Sequence, residues 1–303
     1  MQAWIGCRDE RDRLAMMRRL GGAIAASVTP MAKAGRSIDT GAIAGLASFL
    51  ADGGVDGALV CGTTGEGILL DLAERRAVAE AFVASAPAGF QVAIHAGAQT
   101  SHDTTELAAH AQRTGAAAVA VIAPPYFPLD DAELTRHLVD AANAADPLPF
   151  YVYEFAGRSG YTISPTVAIR VRDSAPNVVG MKVSDTPFDA VEPYLELGLD
   201  VFVGSEPLAL QGLAAGAVGA VSGLAAAFPE IVAALVHDRS DTAHRQVCDL
   251  RDELSGMPFH AALKELLVMR DVLLTPDVRP PLRGLDEEER ARVRRLAHDL
   301  EVV

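Results

Sequence analysis

The sequence predicts an α/β protein with the fold of a (β/α)8 TIM barrel, followed by additional C-terminal helices. Apolar runs and stretches of helical spacing alternate along most of the 303 residues. The runs are apolar throughout, which is typical of strands that are buried on both faces of a parallel sheet. Eight strand–helix pairs are found, and this is the number that closes a barrel in one domain of this length.

Each predicted strand is short and precedes a predicted helix. The strands are residues 22–28, 57–61, 91–96, 117–123, 149–155, 178–184, 200–205 and 218–224. The helices are residues 40–52, 71–86, 103–114, 130–144, 165–173, 187–197, 207–215 and 228–237. Asp71 and Ser164 are typical residues for a helix start, and Gly115 is typical of a helix end.

These elements divide the chain into three predicted parts. Residues 1–20 form an N-terminal extension, residues 21–238 the barrel, and residues 239–303 a helical appendage. A doubly wound sheet is the alternative architecture, but neither GxGxxG after a strand nor GxxxxGK[ST] occurs. In a barrel, functional groups lie at the C-terminal ends of the strands, and this gives a test for every candidate residue.

Composition excludes several classes of function. The net charge of −14 argues against nucleic acid as a partner, because phosphate binding needs clustered basic residues. The three cysteines lack CxxC spacing, which fits a reducing cytoplasm and no structural zinc. Apolar stretches are too short to cross a membrane, and residues 1–20 lack the apolar core of a signal peptide. We therefore expect a cytoplasmic protein that does not contact membranes.

Lys182 lies inside the apolar strand "VVGMKVSD", although the chain contains only two other lysines, Lys33 and Lys264. Burial disfavours the ammonium form of a lysine, and only the free amine attacks a ketone. Lys182 is therefore a candidate Schiff-base nucleophile. The alternative is a lysine that extends from a strand end to solvent.

Two residues near the fifth strand could act with this lysine. Tyr153 ends that strand, so its hydroxyl could reach Lys182 on the neighbouring strand, although a tyrosine here is commonly a core aromatic. Arg158 follows in the same loop and could bind a carboxylate, or could be an ordinary surface arginine.

Two loops supply further candidates. "CGTTGEG" follows the second strand, and its backbone N–H groups could surround a small anion around Thr63, Thr64 and Gly65. The alternative is a turn with incidental threonines. Tyr126 follows the fourth strand in "IAPPYFPL", a loop whose prolines could hold a phenol away from the barrel.

A metal site is not expected. His102 and His110 share a helix face, as do Glu133 and His137, but these predicted helices should be solvated. We expect no metal and no cofactor.

Three motifs in the expected order resemble the dihydrodipicolinate synthase/N-acetylneuraminate lyase family. They are GTTGE after strand two, Tyr-x-x-x-x-Arg-x-Gly after strand five and G-x-K on strand six, within residues 22–230. The resemblance implies a class I aldolase in which Lys182 forms an imine with pyruvate. It also implies that Tyr153 moves protons to and from the imine.

The resemblance assigns roles to further residues. Thr63 resembles the relay partner of the tyrosine, and Thr64 the group that holds the pyruvate carboxylate, with Gly65 beside them. The last relay member in the family is a tyrosine from a neighbouring subunit, which implies Tyr126, with Phe127 one register away. A homo-oligomer, a dimer of dimers, is therefore expected. Arg158 resembles the arginine that receives the second substrate's carboxylate in the synthases.

Departures from the family pattern concern the substrate. The lyases place two adjacent acidic residues after strand seven, whereas this chain offers Glu206 followed by Pro207. "GAVSGLA", which contains Val221, resembles the aldolases of 2-keto-3-deoxy sugar acids. We expect such acids to be the substrates, with Glu206 and Val221 on the substrate side of the site.

Three alternatives stay open at this point. One is condensation of pyruvate with aspartate semialdehyde, the reaction of the synthases. A second is a non-catalytic sugar-acid binding protein, against which Lys182 and Tyr153 argue. A phosphate-binding barrel isomerase is the third, although strand eight lacks an evident phosphate loop.

Overall fold

Eight parallel strands close into a barrel in the computed structural model, which describes residues 19–300. Each strand pairs with its neighbour in sequence, and β1 closes the barrel against β8. The strands are β1 (Gly22–Ala26), β2 (Gly57–Val60), β3 (Gln91–His95), β4 (Ala118–Ile122), β5 (Phe150–Glu154), β6 (Val178–Val183), β7 (Asp200–Val203) and β8 (Gly219–Ser222). The predicted barrel is confirmed.

Helices surround the barrel and continue after it. They are α1 (Ile43–Asp52), α2 (Leu72–Ser85), α3 (Ser101–Thr114), α4 (Asp131–Ala145), α5 (Pro165–Ser174), α6 (Glu192–Leu195), α7 (Ala209–Ala214), α8 (Pro229–His237), α9 (Asp241–Glu253), α10 (Phe259–Met269) and α11 (Glu287–Asp299). A short hairpin, Met31–Ala32 with Ser37–Ile38, follows β1, and one helical turn, Ala156–Ser159, follows β5. Five 3₁₀ turns complete the described structure, at Thr40–Ala42, Gly67–Leu69, Phe188–Ala190, Glu206–Leu208 and Leu224–Ala226.

Local chemistry explains where several helices begin and end. Asp71 accepts a hydrogen bond from the Glu74 amide and forms a capping box at the start of α2. Ser164 caps α5 with Pro165 at its first position, where the missing N–H costs nothing. Gly115 ends α3 at a φ of 82°, a left-handed conformation that glycine adopts readily.

The barrel interior is closed at one end and open at the other. Tyr151 and Phe202 pack edge to face inside it, with ring centroids 5.7 Å apart. At the N-terminal ends of the strands, the Tyr151 hydroxyl accepts a hydrogen bond from the backbone of buried Leu20. The opposite end leads to a cleft of about 520 Å³, at the end where functional groups of a barrel are found.

The C-terminal segment is part of the cleft wall. Helix α9 packs against α8, and α11 against α10. Residues of α9, α10 and the loop between them line the cleft at the open end of the barrel. Of the expected N-terminal extension, residues 1–18 lie outside the described residues. Within residues 19–300, no helix is both long and apolar enough to cross a membrane.

Candidate active site

A cleft of about 520 Å³ lies at the C-terminal ends of the strands. It contains seven of the nine residues that the sequence suggested, namely Thr63, Thr64, Tyr153, Arg158, Lys182, Glu206 and Val221. The other two, Gly65 and Tyr126, do not line this cleft. Its volume is far greater than pyruvate alone requires and falls in the range of small-molecule sites.

Lys182 lies on β6 beside Tyr153 of β5, and the two residues are partners in the parallel register. The lysine is 7% exposed and its Nζ lies 4.2 Å from the centroid of the Tyr153 ring. Among residues 19–300, no carboxylate and no hydrogen-bond acceptor contacts Nζ. A buried amine at an open cleft, without an ion-pair partner, is arranged to react with an incoming carbonyl group.

Tyr153 contacts Lys182 through its ring and the loop after β2 through its hydroxyl. The hydroxyl lies 3.3 Å from Oγ1 of Thr63, at hydrogen-bond distance. Tyr153 is itself 1% exposed, so its hydroxyl is shielded from bulk water. The phenol therefore lies between the amine and the threonine, with its ring against Nζ of Lys182 and its hydroxyl at hydrogen-bond distance from Thr63.

The loop that carries Thr63 is tightly folded. Cys61 and Glu66 have positive φ angles of 58° and 56°. A side chain at Gly65 would lie 3.0 Å from the carbonyl oxygen of Ser27, and one at Gly67 would overlap the backbone of Cys61. Glycine is therefore required on steric grounds at position 67, and little room remains for a side chain at Gly65.

The C-terminal helix α10 holds this loop in place. Nε2 of His260 lies 2.9 Å from the carbonyl oxygen of Thr63. Farther along the loop, Glu66 forms an ion pair with Lys264 of the same helix and accepts a hydrogen bond from the Arg279 amide. These contacts were not predicted, because nothing in the sequence indicates where a C-terminal helix packs.

His95 forms a neutral wall behind Tyr153, with the two rings edge to face and their centroids 5.9 Å apart. Burial lowers the pKa of His95 to about 3, and the positive charges of Arg75 and Lys182 act in the same direction. Its Nε2 accepts a hydrogen bond from the Ile122 amide. His95 is therefore uncharged near neutral pH and does not compete with Lys182 for an anion.

Arg158 is an exposed cation on the single turn after β5. Its guanidinium lies 5.6 Å from the centroid of the Phe155 ring, and no carboxylate within residues 19–300 contacts it. Asp185, three residues after Lys182, accepts hydrogen bonds from the amides of Ala156 and Gly157 and so fixes the turn. Arg158 is free to bind an anion at the cleft.

Glu206 is buried in the cleft wall and its carboxylate is fully occupied. Ser222 and the Leu224 amide donate to Oε1, and the guanidinium of Arg251 contacts Oε2. Burial alone would raise the pKa of Glu206, but Arg251 and these donors outweigh it and hold the pKa below its usual value. Arg251, from α9, was not predicted as a site residue.

Tyr126 lies outside the cleft of its own chain. Its side chain is 83% exposed, its φ is 85°, and its ring packs edge to face against that of Phe127 at 4.8 Å. In the part of the chain that the structure describes, no cluster of three His, Cys, Asp or Glu side chains could hold a metal ion. His110 contacts Glu80, and His137 contacts Ser101.

Comparison with known proteins identifies the family of the chain. The model of the "Dihydrodipicolinate synthetase family" matches residues 19–300. The chain belongs to the dihydrodipicolinate synthetase family. Rat N-acetylneuraminate lyase is 35% identical over 212 residues, which cover 67% of this chain and 66% of that protein. A 4-hydroxy-tetrahydrodipicolinate synthase of Thermus thermophilus is 31% identical, over 86% and 90% of the two chains.

Solved structures of the dihydrodipicolinate synthetase family also share the fold. YagE from E. coli K12, determined in complex with pyruvate, superposes with a TM-score of 0.88. The two chains are 25% identical, and the match covers 94% of this chain and all of YagE. The lyases and the synthases of this family are both pyruvate-dependent lyases. The protein is therefore a lyase of the class I aldolase type. Membership in the family does not indicate whether the protein acts on the substrate of the lyases or on that of the synthases.

Proposed function

We propose that the protein cleaves or forms a C–C bond between pyruvate and an aldehyde through an imine at Lys182. The observation that supports this most directly is the placement of Nζ, which is buried, lacks a carboxylate partner among the described residues and lies 4.2 Å from the Tyr153 ring. The Tyr153 hydroxyl in turn lies 3.3 Å from Thr63. These groups can supply the nucleophile and the proton transfers of a Schiff-base aldolase.

In the cleavage direction, the Lys182 amine attacks C2 of a 2-keto acid, the Tyr153 hydroxyl gives its proton to the departing oxygen, and water leaves, so that a protonated imine and a tyrosinate remain. Tyr153 accepts the proton of the C4 hydroxyl while the electrons of the C3–C4 bond move into the imine. An aldehyde departs and the enamine of pyruvate remains. The enamine is then protonated at C3, and hydrolysis releases pyruvate and the free lysine. Thr64, buried beside Thr63, is proposed to hold the carboxylate of the keto acid.

The best-supported substrates are 2-keto-3-deoxy acids. The cleft of about 520 Å³ accommodates a chain much longer than pyruvate. The carboxylate of Glu206 already contacts Arg251 and accepts hydrogen bonds from Ser222 and the Leu224 amide. This argues against Glu206 as a hydrogen-bond acceptor for the hydroxyl groups of sialic acid. Val221 contributes an apolar wall. Condensation with aspartate semialdehyde is the second candidate, because Arg158 has no carboxylate partner among the described residues and could bind that of the semialdehyde.

Borohydride reduction in the presence of pyruvate tests the mechanism. We expect covalent mass at Lys182 and no labelling of the Lys182→Ala variant. Lys33→Ala is a matched control, since that exposed lysine lies outside the cleft and its loss should leave labelling intact. Labelling at Lys33 or Lys264, or no labelling, would contradict the proposal and would favour a binding protein. Pyruvate release from a panel of 2-keto-3-deoxy acids, run beside condensation with aspartate semialdehyde, then selects the substrate.

We also infer that Tyr126 acts in the site of a neighbouring subunit. A second cleft of about 290 Å³ lies beside Thr63 and is lined in part by Ile68 and Leu282, which are 54% and 37% exposed. Tyr126 and Phe127, at 83% and 71% exposure, are large rings that one chain leaves uncovered. A neighbour's tyrosine in this second cleft would stand next to Thr63 and complete the proton path.

Mixed oligomers test this inference. Tyr126→Phe and Lys182→Ala chains, each weakly active or inactive, should regain part of the activity when they are mixed, because one complete site can form. Phe127→Leu is the control that removes the neighbouring ring. A fully active monomer, or verified hybrids without recovered activity, would count against a shared site.

A further inference from the structure

The wall formed by β7, β8 and α9 contains a prearranged arginine whose role the proposed chemistry does not use. Arg251 approaches Glu206 with two nitrogens on one carboxylate oxygen, Nε at 2.8 Å and Nη2 at 2.6 Å. The guanidinium also stacks over Phe259, 4.5 Å from the ring centroid. The carboxylate therefore fixes one edge of the planar fork, and the ring supports one of its faces.

The other edge of the guanidinium remains available. Within residues 19–300, no protein atom accepts a hydrogen bond from Nη1 of Arg251. The side chain is 32% exposed and lines the main cleft. An arginine that is held on two sides and free on the third loses little conformational entropy when it binds a ligand.

Glu206 serves this arrangement instead of binding a ligand itself. Its side chain is 1% exposed, and both oxygens already accept hydrogen bonds from Ser222, the Leu224 amide and Arg251. It is the one acidic residue among the described residues that line the cleft. Glu206 therefore positions Arg251 and neutralises its charge.

The charges of the cleft indicate which ligand group suits each arginine. Arg158 has no carboxylate partner among the described residues and retains its full charge for an anion. Arg251 and Glu206 together are neutral, so their free N–H groups match an uncharged oxygen better than a second anion. A hydroxyl oxygen accepts a hydrogen bond from such a donor without needing a counter-charge.

We propose that Arg251 is a specificity-determining residue that binds a hydroxyl group on the part of the substrate that leaves as the aldehyde. Glu206 is its positioning residue. This proposal rests on the proposed aldolase function, because it assigns a substrate feature to the same cleft. It predicts that the enzyme prefers polyhydroxylated aldehydes to aldehydes of equal length without hydroxyl groups.

Three four-carbon aldehydes test the proposal when they are added to pyruvate. Erythrose carries hydroxyl groups, butanal carries none, and succinic semialdehyde ends in a carboxylate. We expect the wild type to prefer erythrose to butanal in kcat/KM, and Arg251→Met to lower that preference roughly tenfold to a hundredfold. Arg245→Met is the matched control, since this exposed arginine of the same helix contacts Thr242 and not the cleft. Its preference should remain that of the wild type.

Two further measurements separate the possible failures. Arg251→Met leaves Glu206 buried without its cation, so the double variant Glu206→Gln/Arg251→Met provides a neutral wall, and it should show the same loss of preference. Borohydride trapping of pyruvate in every variant reports on the aldolase function independently. The proposal is overturned if trapping succeeds but the wild type does not prefer erythrose. It is also overturned if the variants keep that preference, or if they lose succinic semialdehyde addition more than erythrose addition.

Discussion

Lys182 and Lys264 are the two buried lysines of the described chain, and their surroundings differ completely. Nζ of Lys264 contacts the carboxylate of Glu66 and the carbonyl oxygen of Asp277, and the side chain is fully buried. Lys182 faces an open cleft, with the ring of Tyr153 as its neighbour and no carboxylate of residues 19–300 in contact. The third lysine, Lys33, is exposed.

Both lysines are buried, so the partner of the amine, and not burial, is what distinguishes the two sites. Burial lowers the pKa of Lys264, but Glu66 opposes that shift and holds the ammonium as one half of an ion pair. That pair joins α10 to the loop that carries Thr63. An amine without such a pair, as in Lys182, has no counter-charge to give up before it attacks a carbonyl group.

The largest expected effect comes from changing Tyr153, the residue whose ring contacts Lys182. Tyr153→Phe keeps the ring against Nζ and removes only the hydroxyl that contacts Thr63. We expect turnover to fall about 10²–10⁴-fold, since general acid–base groups contribute this much. Pyruvate trapping at Lys182 should persist. Steady-state turnover and borohydride labelling measure the two quantities.

Tyr151→Phe is the matched control for this substitution. Tyr151 lies on the same strand, and its hydroxyl accepts from the Leu20 backbone at the closed end of the barrel. Its loss should change stability slightly and leave turnover near that of the wild type. Equal losses of turnover in the two variants would mean that the Tyr153 hydroxyl has no special part in proton transfer.

The second prediction compares the lysines by stability. Lys264→Met leaves Glu66 buried without its cation and should lower the free energy of unfolding by about 3–5 kcal/mol, whereas Lys182→Met should change it by about 1 kcal/mol or less. Urea unfolding of both variants measures the difference. Glu66→Gln combined with Lys264→Met should recover part of the loss. Equal losses in the free energy of unfolding for Lys264→Met and Lys182→Met would contradict this prediction.

The sequence predicted one side of this contrast much better than the other. Strands appear as uninterrupted apolar runs, so a single lysine inside one of them, Lys182, is conspicuous, and register then brings Tyr153 beside it. Lys264 lies on a helix whose spacing reveals a buried face but not its partner. Its contact with Glu66 joins residues 198 positions apart, as the His260 contact with Thr63 joins residues 197 apart. Such distant pairings follow from how the whole chain packs.

The same reason explains why Arg251 was not predicted while Glu206 was. Glu206 follows β7 and therefore lies at the functional end of the barrel by fold alone. Arg251 reaches that end from α9, in a segment that was expected to be an appendage. The sequence predicted that Glu206 binds the substrate. In the structure, Glu206 lines the cleft, but its carboxylate contacts the guanidinium of Arg251.

The third prediction concerns two arginines that repeat the contrast between paired and unpaired charges. Arg279 forms an ion pair with Glu74, whereas no carboxylate among residues 19–300 contacts Arg158. Arg158→Ala should lower kcat/KM for addition of succinic semialdehyde roughly tenfold to a hundredfold, because a charged hydrogen bond to the carboxylate is lost. Imine formation with pyruvate should weaken far less. Arg158→Lys should restore part of the activity, and an equal loss in both assays would make Arg158 structural.

The smallest expected effect involves Glu154, a buried carboxyl group adjacent to Tyr153 in sequence. Its Oε2 accepts a hydrogen bond from the Ile163 amide, while Oε1 accepts from no donor within the described chain. Burial raises the pKa of Glu154 to about 8, and the nearby Asp185 carboxylate acts in the same direction. Tyr161 and Tyr194 also face this group. Glu154 thus resembles Lys182 in being buried without an opposite charge.

The sign of the pH effect follows from this raised pKa. The folded protein keeps the Glu154 proton up to about pH 8, whereas the unfolded chain releases it near pH 4.5. Between these values the folded state binds more protons than the unfolded state. The stabilisation that Glu154 contributes is therefore fully present below pH 4.5 and is lost as the pH rises to 8. Glu154→Gln should remove this dependence. Relative to the wild type, the variant should gain on the order of 2 kcal/mol between about pH 6.5 and about pH 8.5.

Urea unfolding at several pH values measures this gain, and Glu133→Gln provides the control. Glu133 is an exposed residue of the capping box that begins α4. Its substitution should shift the free energy of unfolding by the same amount at every pH in this range.

Asp185 accepts hydrogen bonds from the backbone amides of the turn that carries Arg158. Ionised Glu154 beside Asp185 should therefore also loosen that turn at high pH. Addition of succinic semialdehyde should therefore decline above about pH 8 in the wild type and decline less in Glu154→Gln. Parallel pH profiles for the two proteins would show that Glu154 is ionised throughout, and that a buried carboxyl group can remain charged here without a cation.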